Sequence, residues 1–382
     1  MTKKTLKNTK KRFPIFIAII TLIALAAVIF YPKPKPSFSP EIQQKLDTFL
    51  TESLAKYKAP GLMVGIWSPE GSWIGTKGTR DIATGEPMDP AYRTRIGSVT
   101  KTFTGTVILQ LVDEGKIGLD DTLDKYRPYI PNADKITIKQ LLNMTSGIYN
   151  YLEIDRIGKA IFADRFKEWD PKELVNAAIE EKPYFEPGAG FHYSNTNTVI
   201  LGMIIEQITG NAVGDEINTR IIKKLGLKDT IFPTTSEIPG NHIHGYSDLE
   251  NKAELVDWTT QNVSWGWTAG AMISNMYDLK TYAKALTDGT FLSKELQEKR
   301  LTEWVDVKKK TFDFVQYGLA VFNAAGFIGH NGELPGYITG AFYNPEKDIT
   351  IVIISNIYER DRAILEIFEG LVTIVWPDIE LK

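Results

Sequence analysis

The chain has 382 residues, 43% hydrophobic and 24% charged, enough for one large or two modest domains around a sizeable core. Its formal charge of −3 is unevenly spread, because six cations and no acid fall in residues 1–31. The acidic remainder argues against a nucleic-acid partner, which would reward lysine and arginine. The absence of cysteine excludes disulfides, a thiol nucleophile, cysteine-ligated zinc and a lipid-modified N-terminal cysteine. With only His192, His242, His244 and His330 to draw on, no metal or other cofactor is expected.

A basic head, residues 1–12, precedes the uncharged run "FPIFIAIITLIALAAVIFY", residues 13–31. At ~1.5 Å per helical residue that run matches the ~30 Å hydrocarbon core, so it reads as a membrane anchor. A signal peptide cut near Ala24-Leu25-Ala26 is the competing reading. In either case the cations hold the head in the cytoplasm and send the body outside. "PKPKPSFSP", residues 32–40, is a stiff spacer, and residues 41–382 form the extracytoplasmic body.

The body opens with an amphipathic helix over 41–57, followed by a hairpin of Gly61–Trp67 and residues 73–78. Helical patterns recur at 139–142, 171–181, 195–209 and 213–224. Strands are expected at 317–323, 326–332, 336–344 and 348–356, and a final apolar helix at 360–375. These elements predict a mixed α and β fold, in which both ends of the body build one antiparallel sheet flanked by helices. A mainly helical subdomain, about 121–250, is inserted between them.

"RIGSVTKTFTGTVILQ", residues 95–110, places Ser98 and Lys101 at i and i+3, on one face near the start of a helix apolar nearly all round. Thr102 and Gly105 continue that stripe and leave room for another element. A serine hydroxyl needs a base to become a good nucleophile. A lysine serves if burial and a positive helix N-terminus bring its pKa down from ~10.4. The same helix start offers the Ser98 N–H as one arm of an oxyanion hole. The competing reading is a lysine that snorkels out of the core. A second S-x-x-K, Ser53 and Lys56, falls on a short amphipathic helix and reads as a solvated face.

"YSN", Tyr193-Ser194-Asn195, opens a helix after "FEPGAGFH", and "HNG", His330-Asn331-Gly332, ends an apolar strand. A phenol beside an ammonium is easier to ionise and relays protons. An asparagine amide orients a carbonyl or the lysine, and a glycine at a strand end lets substrate backbone lie alongside. Taken singly, Tyr193 also reads as a core aromatic and His330 as a satisfied strand-end histidine. His242 and His244 share a strand face and read as surface residues. Trp258, Trp265 and Trp267 either wall a cleft or pack in the core. No G-x-S-x-G, H-E-x-x-H or G-x-x-x-x-G-K pattern is present.

The order S-x-x-K, Y-x-N, H-x-G resembles the serine hydrolases grouped as class C β-lactamases and D-alanyl-D-alanine carboxypeptidases, the penicillin-binding-protein-like family. The likeness extends to "YRTRIGSVTKTFTG", "LVDEGKIGLDDTLDKY", "TIKQLLNMTSGI" and "GWTAGAMISNMYDLKTYAKAL", covering most of 59–356. The resemblance implies an acyl-enzyme on Ser98, with Lys101 as base and Tyr193 sharing proton transfer, either of the two taking the first proton. It implies that Asn195 holds Lys101 and the substrate amide, and that His330 takes the third-motif position. Glu333 would supply the second oxyanion N–H. Implied substrates are a peptidoglycan peptide, a β-lactam or a wall ester.

Two departures bear on substrate. Asn331 stands where the family usually has threonine, and no lysine or arginine occurs from 311 through 329. Both weaken recognition of a terminal carboxylate and suit an esterase of the same fold. A non-catalytic member that binds wall fragments is the remaining alternative.

Overall fold

The computed structural model describes residues 36–248, 254–307, 315–358 and 363–381. The basic head, the 13–31 run and residues 32–35 of the spacer lie outside the described residues, as do 359–362 at the start of the expected last helix. Among the described residues no helix is long and apolar enough to cross a membrane.

The body begins at helix α1, Pro40–Lys56, whose N-terminus is capped by Ser39 accepting from the Ile42 N–H at 3.3 Å, with proline in the first turn. Four further helices matter for the site: α2 (Thr100–Asp113), α3 (Asn195–Thr209), α4 (Met276–Ala285) and α5 (Ala363–Val375).

Among the described residues eight strands form one sheet: β1 (Gly61–Trp67), β2 (Ser72–Gly78), β3 (Val305–Asp306), β4 (Val315–Tyr317), β5 (Phe322–Ala324), β6 (Phe327–Leu334), β7 (Tyr337–Asn344) and β8 (Ile349–Ser355). Their order is β2-β1-β8-β7-β6-β5-β4-β3, antiparallel throughout. The chain's two ends thus meet at the β1–β8 ladder, where Leu62 pairs with Ser355 and Trp67 with Thr350. Strand β8 is buried at every position because both faces are covered. Ile349, Ile351 and Ile353 join the apolar cluster that includes Leu46 and Leu50 of α1 and Phe368 of α5. Val352 and Ile354 face the larger cluster shared with α2, α3 and α4.

The sheet flanked by helices is as the sequence predicts, with three local differences. Residues 317–323 are not one strand but a hairpin: Gly318 N–H donates to Val321 O at 2.8 Å, and Ala320 takes φ +60° to close the turn. The 213–224 helix is broken into Val213–Ile217, a wider π-helical turn at Asn218–Ile222, and Lys223–Leu225. At the second S-x-x-K, Ser53 is buried while Lys56 lies at the surface, paired with Glu366 at 2.5 Å. Those two side chains therefore do not share a solvated face.

Candidate active site

Helix α2 is preceded by a single 3₁₀ turn, Gly97–Val99, which carries Ser98. Behind it Phe103, Val107, Ile108 and Leu111 are fully buried, so the helix cannot roll to expose Lys101. Gly105 sits against Ala320, where a Cβ on the glycine would come within 2.3 Å of the alanine Cβ. The small residue is there for close approach, as its place in the stripe suggested.

Lys101 is 0% exposed. Its Nζ lies 2.9 Å from Ser98 Oγ, 2.7 Å from Asn195 Oδ1 and 2.7 Å from the carbonyl oxygen of Ala269. Burial holds its pKa well below that of an ordinary lysine. A neutral amine has two N–H groups and one lone pair. Asn195 Oδ1 and Ala269 O only accept, so they take both hydrogens and leave the lone pair facing Ser98. With the amine neutral, the Ser98 hydroxyl donates toward that lone pair, a geometry compatible with a serine–lysine pair.

Tyr193 reaches the same point from the loop before α3, with Lys101 Nζ 4.9 Å from its ring centroid, and both Tyr193 and Ser98 line the same cleft. Burial pushes the phenol above its usual range, outweighing the opposing influence of Ser98, and the Glu333 carboxylate adds to the rise. The expectation of an easily ionised Tyr193 is thus corrected, because burial of the phenol outweighs what favours its ionised form. The phenol remains a proton donor.

Strand β6 lies directly against the turn that carries Ser98. A Cβ on Gly332 would fall 1.9 Å from Ile96 O and 2.8 Å from the Ser98 nitrogen, and one on Gly97 (φ +49°) 2.4 Å from the Glu333 nitrogen. The backbones of Ser98 and Glu333 therefore run side by side at the mouth of the cleft, the placement that two oxyanion donors require. The glycine is needed for the close approach of the protein's own backbone.

His330 is 1% exposed and stands behind Tyr193 instead of lining the cleft. Its Nδ1 meets the Asn331 carbonyl, which only accepts, so Nδ1 carries the proton and Nε2 accepts from the Tyr317 hydroxyl at 3.3 Å. Burial is the main cause that lowers its pKa to about 3, so the third-motif residue is neutral. Asn331 is likewise absent from the cleft walls.

The cleft in front of Ser98 has a volume of about 270 Å³. Tyr151, Leu152, Ile161, Phe162, Trp265 and Leu334 give it an apolar wall, with Glu333 at its edge and no lysine or arginine among the described lining residues. Of the three tryptophans, Trp258 is buried in the core and Trp267 borders a separate groove. Two partners of the site escaped the sequence reading: the Ala269 carbonyl and Asn150, whose Oδ1 accepts from Asn195 Nδ2 at 3.2 Å. Asn150 lies two residues beyond the recognised "TIKQLLNMTSGI" and by itself looks like an ordinary turn cap, a role it also has toward Leu152.

This fold and site define a β-lactamase-like serine-hydrolase class. The Beta-lactamase family model matches residues 46–372, and the chain belongs to that family. It is 26% identical over 322 residues to Protein flp of Staphylococcus aureus (strain MW2), covering 82% of this chain and 63% of the relative. The chain thus spans about 63% of the length of the curated relatives it matches first. The putative penicillin-binding protein PbpX of Bacillus subtilis (strain 168) is 26% identical over 262 residues, covering 69% of this chain and 61% of the relative. A D-stereospecific amidohydrolase from Streptomyces sp. superposes with a TM-score of 0.78 at 32% identity, covering 88% of this chain and 99% of that one.

Proposed function

We propose that the protein cleaves an amide or ester bond through an acyl-enzyme on Ser98. The observation that carries this reading is the Lys101 amine, buried, held by two acceptors and left with its lone pair 2.9 Å from Ser98 Oγ. In the first step Lys101 takes the Ser98 proton while Oγ bonds to the substrate carbonyl carbon. The carbonyl oxygen becomes an oxyanion between the Ser98 and Glu333 N–H groups. As the tetrahedral species collapses, the bond to the leaving group breaks and the leaving atom takes a proton relayed from Lys101 through Tyr193. A water then enters by the reverse route and frees the acid and the serine.

The neutral His330, the apolar walls and the carboxylate at the edge support an acyl donor whose leaving group carries no carboxylate, such as a D-aminoacyl amide or ester. The likeness to a D-stereospecific amidohydrolase supports the same substrate class. A D-alanyl-D-alanine peptide and a β-lactam are the alternatives the family membership keeps in view. The cations at 1–12 followed by the uncharged run 13–31 support a body held on the outer face of a membrane.

The test compares D-alanyl amide, D-alanyl ester, D-Ala-D-Ala peptide and nitrocefin hydrolysis by wild type and Ser98→Ala. Faster turnover of the first two, abolished in the variant, supports the proposal. Preference for the dipeptide carboxylate overturns the substrate class. Failure of an organophosphonate and a fluorescent penicillin to label Ser98 overturns the enzyme.

A further inference from the structure

A directed chain of hydrogen bonds runs from the Lys101 amine to the surface. Lys101 Nζ donates to Asn195 Oδ1 at 2.7 Å, Asn195 Nδ2 to Asn150 Oδ1 at 3.2 Å, and Asn150 Nδ2 to Glu153 Oε1 at 3.2 Å. Both amides point the same way, oxygen toward the lysine and nitrogen toward the carboxylate. Glu153 is itself held on the Tyr151–Glu153 turn: Tyr184 Oη donates to its Oε2 at 2.6 Å, and His192 Nε2 lies 3.1 Å from Oε1. The Tyr184 ring is stacked on Tyr149 at 4.6 Å and on His192 at 3.5 Å.

The sense of this chain matters because an amide can be turned end for end at little steric cost. Were Asn195 reversed, its NH₂ would face the Lys101 amine, and one amine hydrogen would lose its acceptor. The lone pair would then no longer be reserved for Ser98. A carboxylate can only accept, so it fixes the nitrogen end of Asn150. The Asn195 and Leu152 backbone N–H groups fix the oxygen end, at 3.2 and 3.4 Å. The Asn150 oxygen in turn fixes Asn195.

We propose that Glu153 is a positioning residue for Ser98 acylation, setting the direction of the Asn150–Asn195 amide chain that presents the Lys101 lone pair. This rests on the reading of Lys101 as the base. Balancing forces hold Glu153 ionised: burial raises its pKa, but the bonds from Tyr184, His192 and Asn150 lower it by more.

The experiment measures the acylation rate of Ser98 by a chromogenic ester or phosphonate in wild type, Glu153→Ala, Glu153→Gln, Asn150→Ala and the Asn150→Ala/Glu153→Ala double variant, with thermal melts of each. Because two backbone groups share the orienting task, Glu153→Ala is expected to slow acylation about tenfold, within the range of a coupling across one hydrogen-bonded network. Half-saturation should be unchanged. Glu153→Gln, which keeps an acceptor oxygen, should recover most of the rate, and the double variant should be no slower than Asn150→Ala alone. A wild-type rate in Glu153→Ala, no recovery in Glu153→Gln, or losses that multiply in the double variant would each overturn the proposal. If Glu153→Ala does not fold, Glu153→Gln in the Asn150→Ala background decides: any added loss there counts against it. Normal labelling of wild type with an unaffected Glu153→Ala sinks this role alone, whereas an unlabelled wild type sinks the Ser98 mechanism with it.

Discussion

Gly332 and Ile96 touch backbone to backbone, so closely that a single methyl on the glycine would sit 1.9 Å from the Ile96 carbonyl oxygen. The sheet and the turn that carries Ser98 are locked together at this point. Gly332→Ala should push β6 off the turn and separate the Glu333 N–H from the Ser98 N–H. Loss of one oxyanion donor costs about 10²–10³ in turnover. Steady-state kinetics should show a loss of that size in kcat, and retention of full activity would mean that β6 does not supply a donor.

Lys101 gives a second prediction, on rate and pH together. Lys101→Met should reduce acylation by about 10²–10⁴, the range for a general base, while the variant still melts cooperatively. In wild type, kcat/KM should rise with pH through an acid limb well below 10.5, because only the unprotonated amine accepts the serine proton. That limb should vanish from the residual activity of Lys101→Met. Lys101→Arg should be no better, since a guanidinium stays charged.

His330 should make the fold sensitive to acid. Its native pKa is about 3 against 6.5 in the unfolded chain, so between those values the unfolded state binds a proton that the native state refuses. Stability from this residue is complete above pH 6.5 and is lost as the pH falls toward 3. His330→Gln can still donate to Asn331 O and accept from Tyr317 without titrating. Urea midpoints measured from pH 7 down to 4 should fall less steeply in the variant. Equal slopes would remove His330 as the cause.

Gly105 tests the packing behind the site. Gly105→Val drives a branched side chain into Ala320, whose N–H is bonded to Leu142 O at 3.0 Å and whose φ is already +60°. Overpacking of this kind costs ~1–3 kcal/mol. Thermal melts should fall by several degrees, with acylation slowed because α2 carries both Ser98's turn and Lys101.

What was legible in the sequence is what is local. Ser98 and Lys101 are one helical turn apart, so their proximity follows from helix geometry alone. The apolar runs at both ends predicted the sheet, and Thr102 with Gly105 predicted a close neighbour. The hairpin at Tyr317–Phe322 was missed because its turn uses Gly318 and a left-handed alanine, which leave "YGLAVFN" looking like a continuous apolar strand. The Ala269 carbonyl and Asn150 reach Lys101 and Asn195 across 168 and 45 residues, and no spacing rule announces such partners. The neutrality of His330 and the raised phenol of Tyr193 depend on burial, which side-chain identity does not reveal.

The ladder between the first and last strands also has a bearing on how the protein is made. Leu62 waits for Ser355, a partner 293 positions later, before its edge of the sheet is closed. At ~5–20 residues per second, a ribosome needs on the order of 15–60 s to deliver that partner. Throughout that interval the opening hairpin has an unpaired, apolar edge. Biogenesis thus calls for a holding factor or delayed collapse, and truncating β8 should yield aggregates, not a weakened enzyme.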